Sequence, residues 1–146
     1  MPDPFVLLKK DHREAEAMLK QLAQSKNPGP RRANTVAKLT AALQLHMQIE
    51  EHLVYPLVAT TLGGEATQEV TNEHALARDG LSTLNRYEAE PGFGATVAML
   101  TAGIKHHVTE EEREIFPKMK RSLDRATLDE LAEKITAAKK HAKSKA

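Results

Sequence analysis

At 146 residues the chain is long enough for one domain with a proper core. With no Cys, no Trp, three Phe and two Tyr, that core must be mostly Leu, Ala, Val and Ile, and disulfides, thiolate metal sites and thiol nucleophiles are excluded. The net charge is +1, yet Lys139, Lys140, Lys143 and Lys145 crowd into the tail "AKKHAKSKA", so the body is weakly acidic, which argues against a nucleic-acid-binding face.

Asp3-Pro4 reads as an N-cap with proline at the first helical position, opening helix A at about 4–25. "SKNPGP" ends it. Helix B covers about 31–61, bent or interrupted at Pro56, and stops at "LGG". Helix C covers about 65–89 and ends at "EPGFG"; helix D covers about 94–122 with its own disturbance at Pro117. A shorter helix E begins at Thr127, where "TLDE" forms a capping box with Glu130. The basic tail then reads as a fraying, solvated helix end. No strand alternation occurs. The expected fold is all-α, an up-down-up-down antiparallel four-helix bundle with a short fifth C-terminal helix packed outside it. Residues 1–124 form the bundle, and 125–146 the last helix and tail.

The chain repeats itself. "HMQIEEHLVYP" (46–56) returns as "HVTEEEREIFP" (107–117), and "DHREAEAMLKQL" (11–22) aligns with "EHALARDGLSTL" (73–84). The pattern predicts two αα-hairpins on one plan, related by an approximate two-fold axis. Positions i and i+4 share a helix face, so His46 and Glu50 lie within the apolar stripe of Leu43, Ile49, Leu53 and Leu57. From His107 the same reckoning gives Ile104, Glu111, Glu114 and Lys118, a more polar stripe. His12 aligns with Phe5, Leu8, Ala15, Glu16 and Leu19, and His74 with Val70, Ala77 and Leu81. Counted from the interhelical breaks, the four histidines stand about 14 to 16 residues along their helices, within about one turn of a common level.

Four imidazoles and two carboxylates facing one another in a core are costly unless paired or bound to metal. His12, His46, Glu50, His74, His107 and Glu111 make a six-ligand set for two metals, each held by two histidines and sharing or dividing the two glutamates. Imidazole with carboxylate suits iron, manganese or zinc. His106-x3-Glu110 is an alternative register, and the repeat selects His107. His52 and His141 read as surface residues, and Glu51 and Glu112 as salt-bridge partners to neighbouring helices. A metal-free structural bundle would leave six inward polar groups unexplained.

The pattern His12, His46-x3-Glu50, His74, His107-x3-Glu111 resembles the hemerythrin-like (HHE cation-binding) domain over residues 4–120. The resemblance implies a four-helix bundle around a non-heme di-iron centre, oxo- or hydroxo-bridged, that binds O₂, H₂O₂ or NO. The four histidines would be terminal ligands, and Glu50 and Glu111 would bridge. Two departures stand out. The oxygen carriers of the family have a second histidine one turn after the helix C ligand, where this chain has Arg78. Their helix D carboxylate follows its histidine by five residues, and here by four. Fewer histidines leave more open coordination, which favours peroxide, NO or redox chemistry over reversible O₂ carriage.

Two residues are candidates for roles around the centre. Glu16 is a structural partner for Arg78, an extra ligand, or a proton relay. Tyr55 nominally points away from His46, so it packs, unless the proline distortion turns its phenol inward. The resulting expectation is peroxidase- or catalase-like activity in oxidative or nitrosative stress, served by a separate redox partner. The alternative is a non-catalytic oxygen or iron sensor, or an iron-binding protein, signalling through a partner. A monomer or weak dimer is expected. With no apolar run of the ~18 residues a membrane span needs, and an opening "MPDPFVLLKKDH" unlike a signal peptide, the expected location is cytoplasmic without a membrane partner.

Overall fold

The computed structural model describes residues 3–145 and, among them, contains helices and turns but no strand. Helix α1 (Pro4–Ala23) opens as expected, with the Asp3 carboxylate accepting from the Phe5 N–H at 2.8 Å and Pro4 at the first turn. Helix α2 (Pro30–Ile49) continues through a π-helical turn (Glu50–Val54) into α3 (Tyr55–Leu62), so the three make one rod. After Gly63, whose φ of 97° suits a residue without Cβ, α4 (Gly64–Arg86) follows. Helix α5 (Phe93–Glu110), a second π turn (Glu111–Ile115) and α6 (Phe116–Ser122) form the fourth rod, and α7 (Arg125–Lys145) the fifth. Among the described residues no helix is long and apolar enough to cross a membrane.

The two prolines do not break their helices. Each sits just after a turn whose closing bond spans five residues: Tyr55 N–H donates to the Glu50 carbonyl, and Phe116 N–H to the Glu111 carbonyl. A proline ring collides with the carbonyl four residues earlier. Widening the turn moves that carbonyl aside and absorbs one extra residue. The helix beyond is therefore rotated back by about 100°, and the inward stripe shifts by one position. Val54 and Val58 are fully buried where Leu53 and Leu57 were expected, and Ile115 and Met119 face inward while Glu114 and Lys118 turn out. The polar stripe expected for the second half is corrected to an apolar one.

The C-terminal helix also departs from expectation. Its N-cap is Asp124, whose carboxylate accepts from the Thr127 N–H at 2.8 Å, so the helix starts two residues before Thr127. At 21 residues it is long. Leu131, Ala132 and Ile135 bury it against the bundle, and Lys139, assigned to a solvated tail, instead reaches Asp11 on α1 at 2.5 Å.

Apolar packing forms two layers. Toward the α1–α2 and α4–α5 connections lie Leu19, Leu22, Leu39, Leu84, Phe93 and Val97. Toward the other end, Phe5, Leu8, Val58, Phe116, Met119 and Ile135 close the bundle under α7. Arg32 pins the first end: it donates to Ser25 Oγ, Ser25 O and Glu88 O at 2.8–2.9 Å and lies over the Phe93 ring at 4.0 Å. Between the layers lies a polar stratum, and both π turns open into it.

Candidate metal centre

Among the described residues the polar stratum holds His12, His46, Glu50, His74, His107 and Glu111, all buried. The structure thus brings together the six residues expected to meet. The rings pair by hairpin: His12 and His46 lie 4.9 Å apart between centroids, and His74 and His107 lie 4.8 Å apart. Donor atoms converge in two adjacent groups, His12–His46–Glu50–Glu111 and Glu50–His74–His107. Glu50 belongs to both groups. Its Oε1 lies 3.2, 3.0 and 3.4 Å from the Nε2 atoms of His46, His74 and His107. Glu111 spans the halves too, with Oε1 at 3.1 Å from His12 Nε2 and 3.3 Å from His107 Nε2.

Every imidazole presents Nε2 inward because its Nδ1 is held from outside by a carboxylate. Glu112 holds His12 at 2.6 Å, Asp11 holds His46 at 2.8 Å, Glu51 holds His74 at 2.7 Å and Glu73 holds His107 at 2.7 Å. Such carboxylate–histidine pairs fix the tautomer and aim the ring of a metal ligand. Three clamps have a cationic neighbour, Arg13 at Glu112, Lys139 at Asp11 and Arg78 at Glu51, and the fourth, Glu73, lies 3.3 Å from His106 Nε2. The doubled glutamate of each repeat thereby divides its work. The first points into the cluster, and the second reaches across to a histidine of a neighbouring helix, Glu51 to His74 on α4 and Glu112 to His12 on α1. Asp11 and Glu73 were not singled out from sequence, although an acid before the histidine in both "DHRE" and "EHAL" carried the signal.

Tyr55 is the third inward group. The π turn brings it round from the far side, and its hydroxyl lies 2.9 Å from His74 Nε2, 2.9 Å from Glu111 Oε2 and 3.1 Å from Glu50 Oε1. Burial and the neighbouring Glu50 and Glu111 carboxylates push its pKa up, so the phenol keeps its proton. The matching position in the other hairpin is Phe116, which stacks on His12 at 6.1 Å and on Phe5 at 4.9 Å. A phenol on one side and a phenyl on the other make the two halves unequal. Arg78 points out to Glu51, so the turn after His74 supplies no imidazole, and Tyr55 occupies the space near that ring. Glu16 is not brought to the cluster. Its carboxylate pairs with Arg13 at 2.7 Å on the surface, and neither pairs with Arg78 nor joins the donor groups. His106 is 66% exposed in its side chain and lies outside; His52 and His141 are exposed.

The donor set calls for cations. Glu50 Oε2 is buried without a hydrogen-bond partner, and His46 Nε2 has only the 3.2 Å approach of Glu50 Oε1, without hydrogen-bond geometry; polar atoms left so at this depth are costly. Burial resists ionisation of His46, but Glu50, Asp11 and Glu111 together outweigh it and lift its pKa to about 10. Burial would likewise raise Glu50, yet His46 and the other imidazoles hold it well below the usual carboxylate range. The cluster is an anionic pocket that protons fill when nothing stronger does.

Residues 3–119 match the model of the hemerythrin HHE cation-binding domain. The chain belongs to that family. A hemerythrin HHE cation-binding domain-containing protein of Mycobacterium kansasii superposes with a TM-score of 0.84 at 27% identity, over 99% of this chain and 90% of that one. A DNA nickase of Nostoc sp. (strain PCC 7120) is 25% identical over 134 residues, 91% of this chain. This hemerythrin-type chain spans only 38% of that nickase's length. The buried histidines and glutamates are thus the metal-binding cluster of an HHE domain, arranged as two adjacent groups that fit a binuclear site.

Proposed function

We propose that the cluster holds two iron ions and binds a small oxidant, O₂, H₂O₂ or NO, with peroxidase- or catalase-like turnover. The unsatisfied His46 Nε2 and Glu50 Oε2, set among inward-facing imidazoles, carry the metal part of this reading. Histidine, carboxylate and phenol donors with no thiolate suit iron among the first-row metals, and the family resemblance favours it. Bound there, the metals would supply Lewis acidity and electrons. The chain supplies the rest. His12 and His46 would hold one ion and His74 and His107 the other, with Glu50 and Glu111 between them. Tyr55 keeps a proton on its hydroxyl at hydrogen-bond distance from both carboxylates, and beside His74 it would donate that proton to the oxidant or serve as a further ligand. The clamps hold the imidazoles in place throughout.

Metal analysis with a visible spectrum tests this. The purified protein should carry about two irons per chain and show near-ultraviolet charge-transfer absorption, and it should consume H₂O₂. His46→Ala should lose at least one iron and the absorption. A colourless protein without iron, whose stability survives His46→Ala, would end the reading. A sensor role draws on one observation, the chain Lys139–Asp11–His46 that ties α7 to the cluster. Iron-dependent protection of α7 amides from hydrogen exchange, without peroxide consumption, would favour it.

A further inference from the structure

A cavity of about 400 Å³ runs from the surface between α4 and α5 to the histidine layer. His12, His46, His74 and His107 all line it, while Glu50, Glu111 and Tyr55 do not. It therefore meets the centre from the imidazole side. Its exposed lining is largely apolar, with Ala15, Leu43, Met47, Ala77, Leu100 and Ile104, interrupted by Asp79, Thr83 and Thr96. Leu76 and Met99 also line it, and among the described residues they are the two most exposed large apolar side chains, at 71% and 77%.

This space is far larger than H₂O₂ or a diatomic gas needs. A water-sized molecule needs about 30 Å³, and a hydrophilic peroxide finds few partners along such a wall. Cavities of roughly 300–1,000 Å³ with apolar walls and a few polar groups at one end hold organic ligands. We propose that the cavity binds an organic hydroperoxide, its hydrocarbon body along the apolar wall and its oxygen end at the histidines. The head group rests on reading the centre as an oxidant site; the hydrocarbon body rests on the cavity walls alone.

The test uses the full chain freed of metal, with straight-chain alcohols as unreactive stand-ins. 1-Octanol should bind saturably by calorimetry, and affinity should rise about fourfold for each methylene added from butanol to octanol. Gly103 offers a plug. It lines the cavity on α5, and a Cβ there would meet nothing within 4 Å. Gly103→Leu should weaken octanol binding at least tenfold while leaving the melting temperature unchanged or raised, since glycine inside a helix is unfavourable. Met99→Lys, with a charge at the mouth, should weaken it as well. Absence of saturable binding, affinity independent of chain length, or a Gly103→Leu protein that binds octanol normally would overturn the proposal. So would a Met99→Lys protein altered only in oligomeric state, which would make the apolar rim a protein-contact face. Peroxide consumption by the iron-loaded chain is scored separately. Octanol binding without it upholds the pocket and overturns the oxidant reading, and consumption of H₂O₂ without octanol binding does the reverse.

Discussion

Tyr55 carries the sharpest consequence for a single residue. Its one hydroxyl proton serves two buried carboxylates and its oxygen faces His74, whereas Phe116 in the other hairpin offers nothing polar. Tyr55→Phe leaves the ring's packing in place and removes only that hydroxyl. In the metal-free protein the loss should cost about 1–3 kcal/mol, the range for a hydrogen bond to a buried charged group, read by urea denaturation. In the loaded protein it should perturb the His74–His107 half more than the other, since the hydroxyl faces His74 directly and reaches His12 and His46 only through the two carboxylates. Metal content should fall toward one ion per chain or the near-ultraviolet bands should shift, while His12 and His46 keep theirs. An unchanged spectrum with unchanged stability would show that the hydroxyl contributes to neither state. Arg78 gains a defined place from the same geometry: it is the counter-charge that holds Glu51 on His74.

Elements explain what could and could not be read beforehand. The cluster was legible because each π turn only begins at Glu50 or Glu111, so His46/Glu50 and His107/Glu111 still obey plain α-helical spacing. Asp3 and Pro4 likewise announced α1 by local chemistry alone. The π turns were not legible as such, since a proline signals only trouble in the preceding turn and not its form. Yet the shift they cause was written in the second half: Glu114 and Lys118 make no core, whereas Ile115 and Met119, one step on, do. The role of α7 was hidden for a different reason. Lys139 lies in a lysine-rich stretch, and only tertiary contact distinguishes the lysine that reaches Asp11 from those that reach water. Lys139→Met keeps most of the apolar stem and removes the charge that holds Asp11 against His46. Partners around metal ligands affect affinity by about 10–100-fold, and Lys139 stands one step further out. The expected effect is a several-fold faster loss of metal to a chelator with the fold intact, measured by stopped-flow absorbance; a rate equal to wild type would show that Asp11 holds His46 without help.

For the whole molecule, the buried cluster ties folding, protons and metal into one balance. In the metal-free chain burial works against a charged His107, but Glu111 and its neighbours raise its pKa well above the ordinary value, as Glu50, Asp11 and Glu111 raise that of His46 to about 10. Glu110, raised first by burial and then by its bond to Glu73, reaches about 8. Groups with raised folded pKa values stabilise most below their unfolded values, 6.5 for histidine and 4.5 for glutamate, and lose that contribution as pH rises through the folded value. Glu50 and Glu73 run the other way. Burial opposes their ionisation, but His46 and His107 lower their pKa values, so their stabilisation disappears as pH falls through the folded value. The metal-free protein should therefore be most stable at about pH 5–6.5, and melt several degrees lower by pH 9–10, where one kcal/mol corresponds to about 2–8 °C across domain sizes. Metal reverses the slope above that window. Imidazole must shed its proton to bind, so occupancy strengthens as pH rises, and ligand binding adds to stability in proportion. The gap in melting temperature between loaded and metal-free protein should accordingly widen from pH 6.5 to 9 by calorimetry. A gap that stays constant or narrows would mean that the protons on these histidines and the metal do not compete for the same nitrogen atoms.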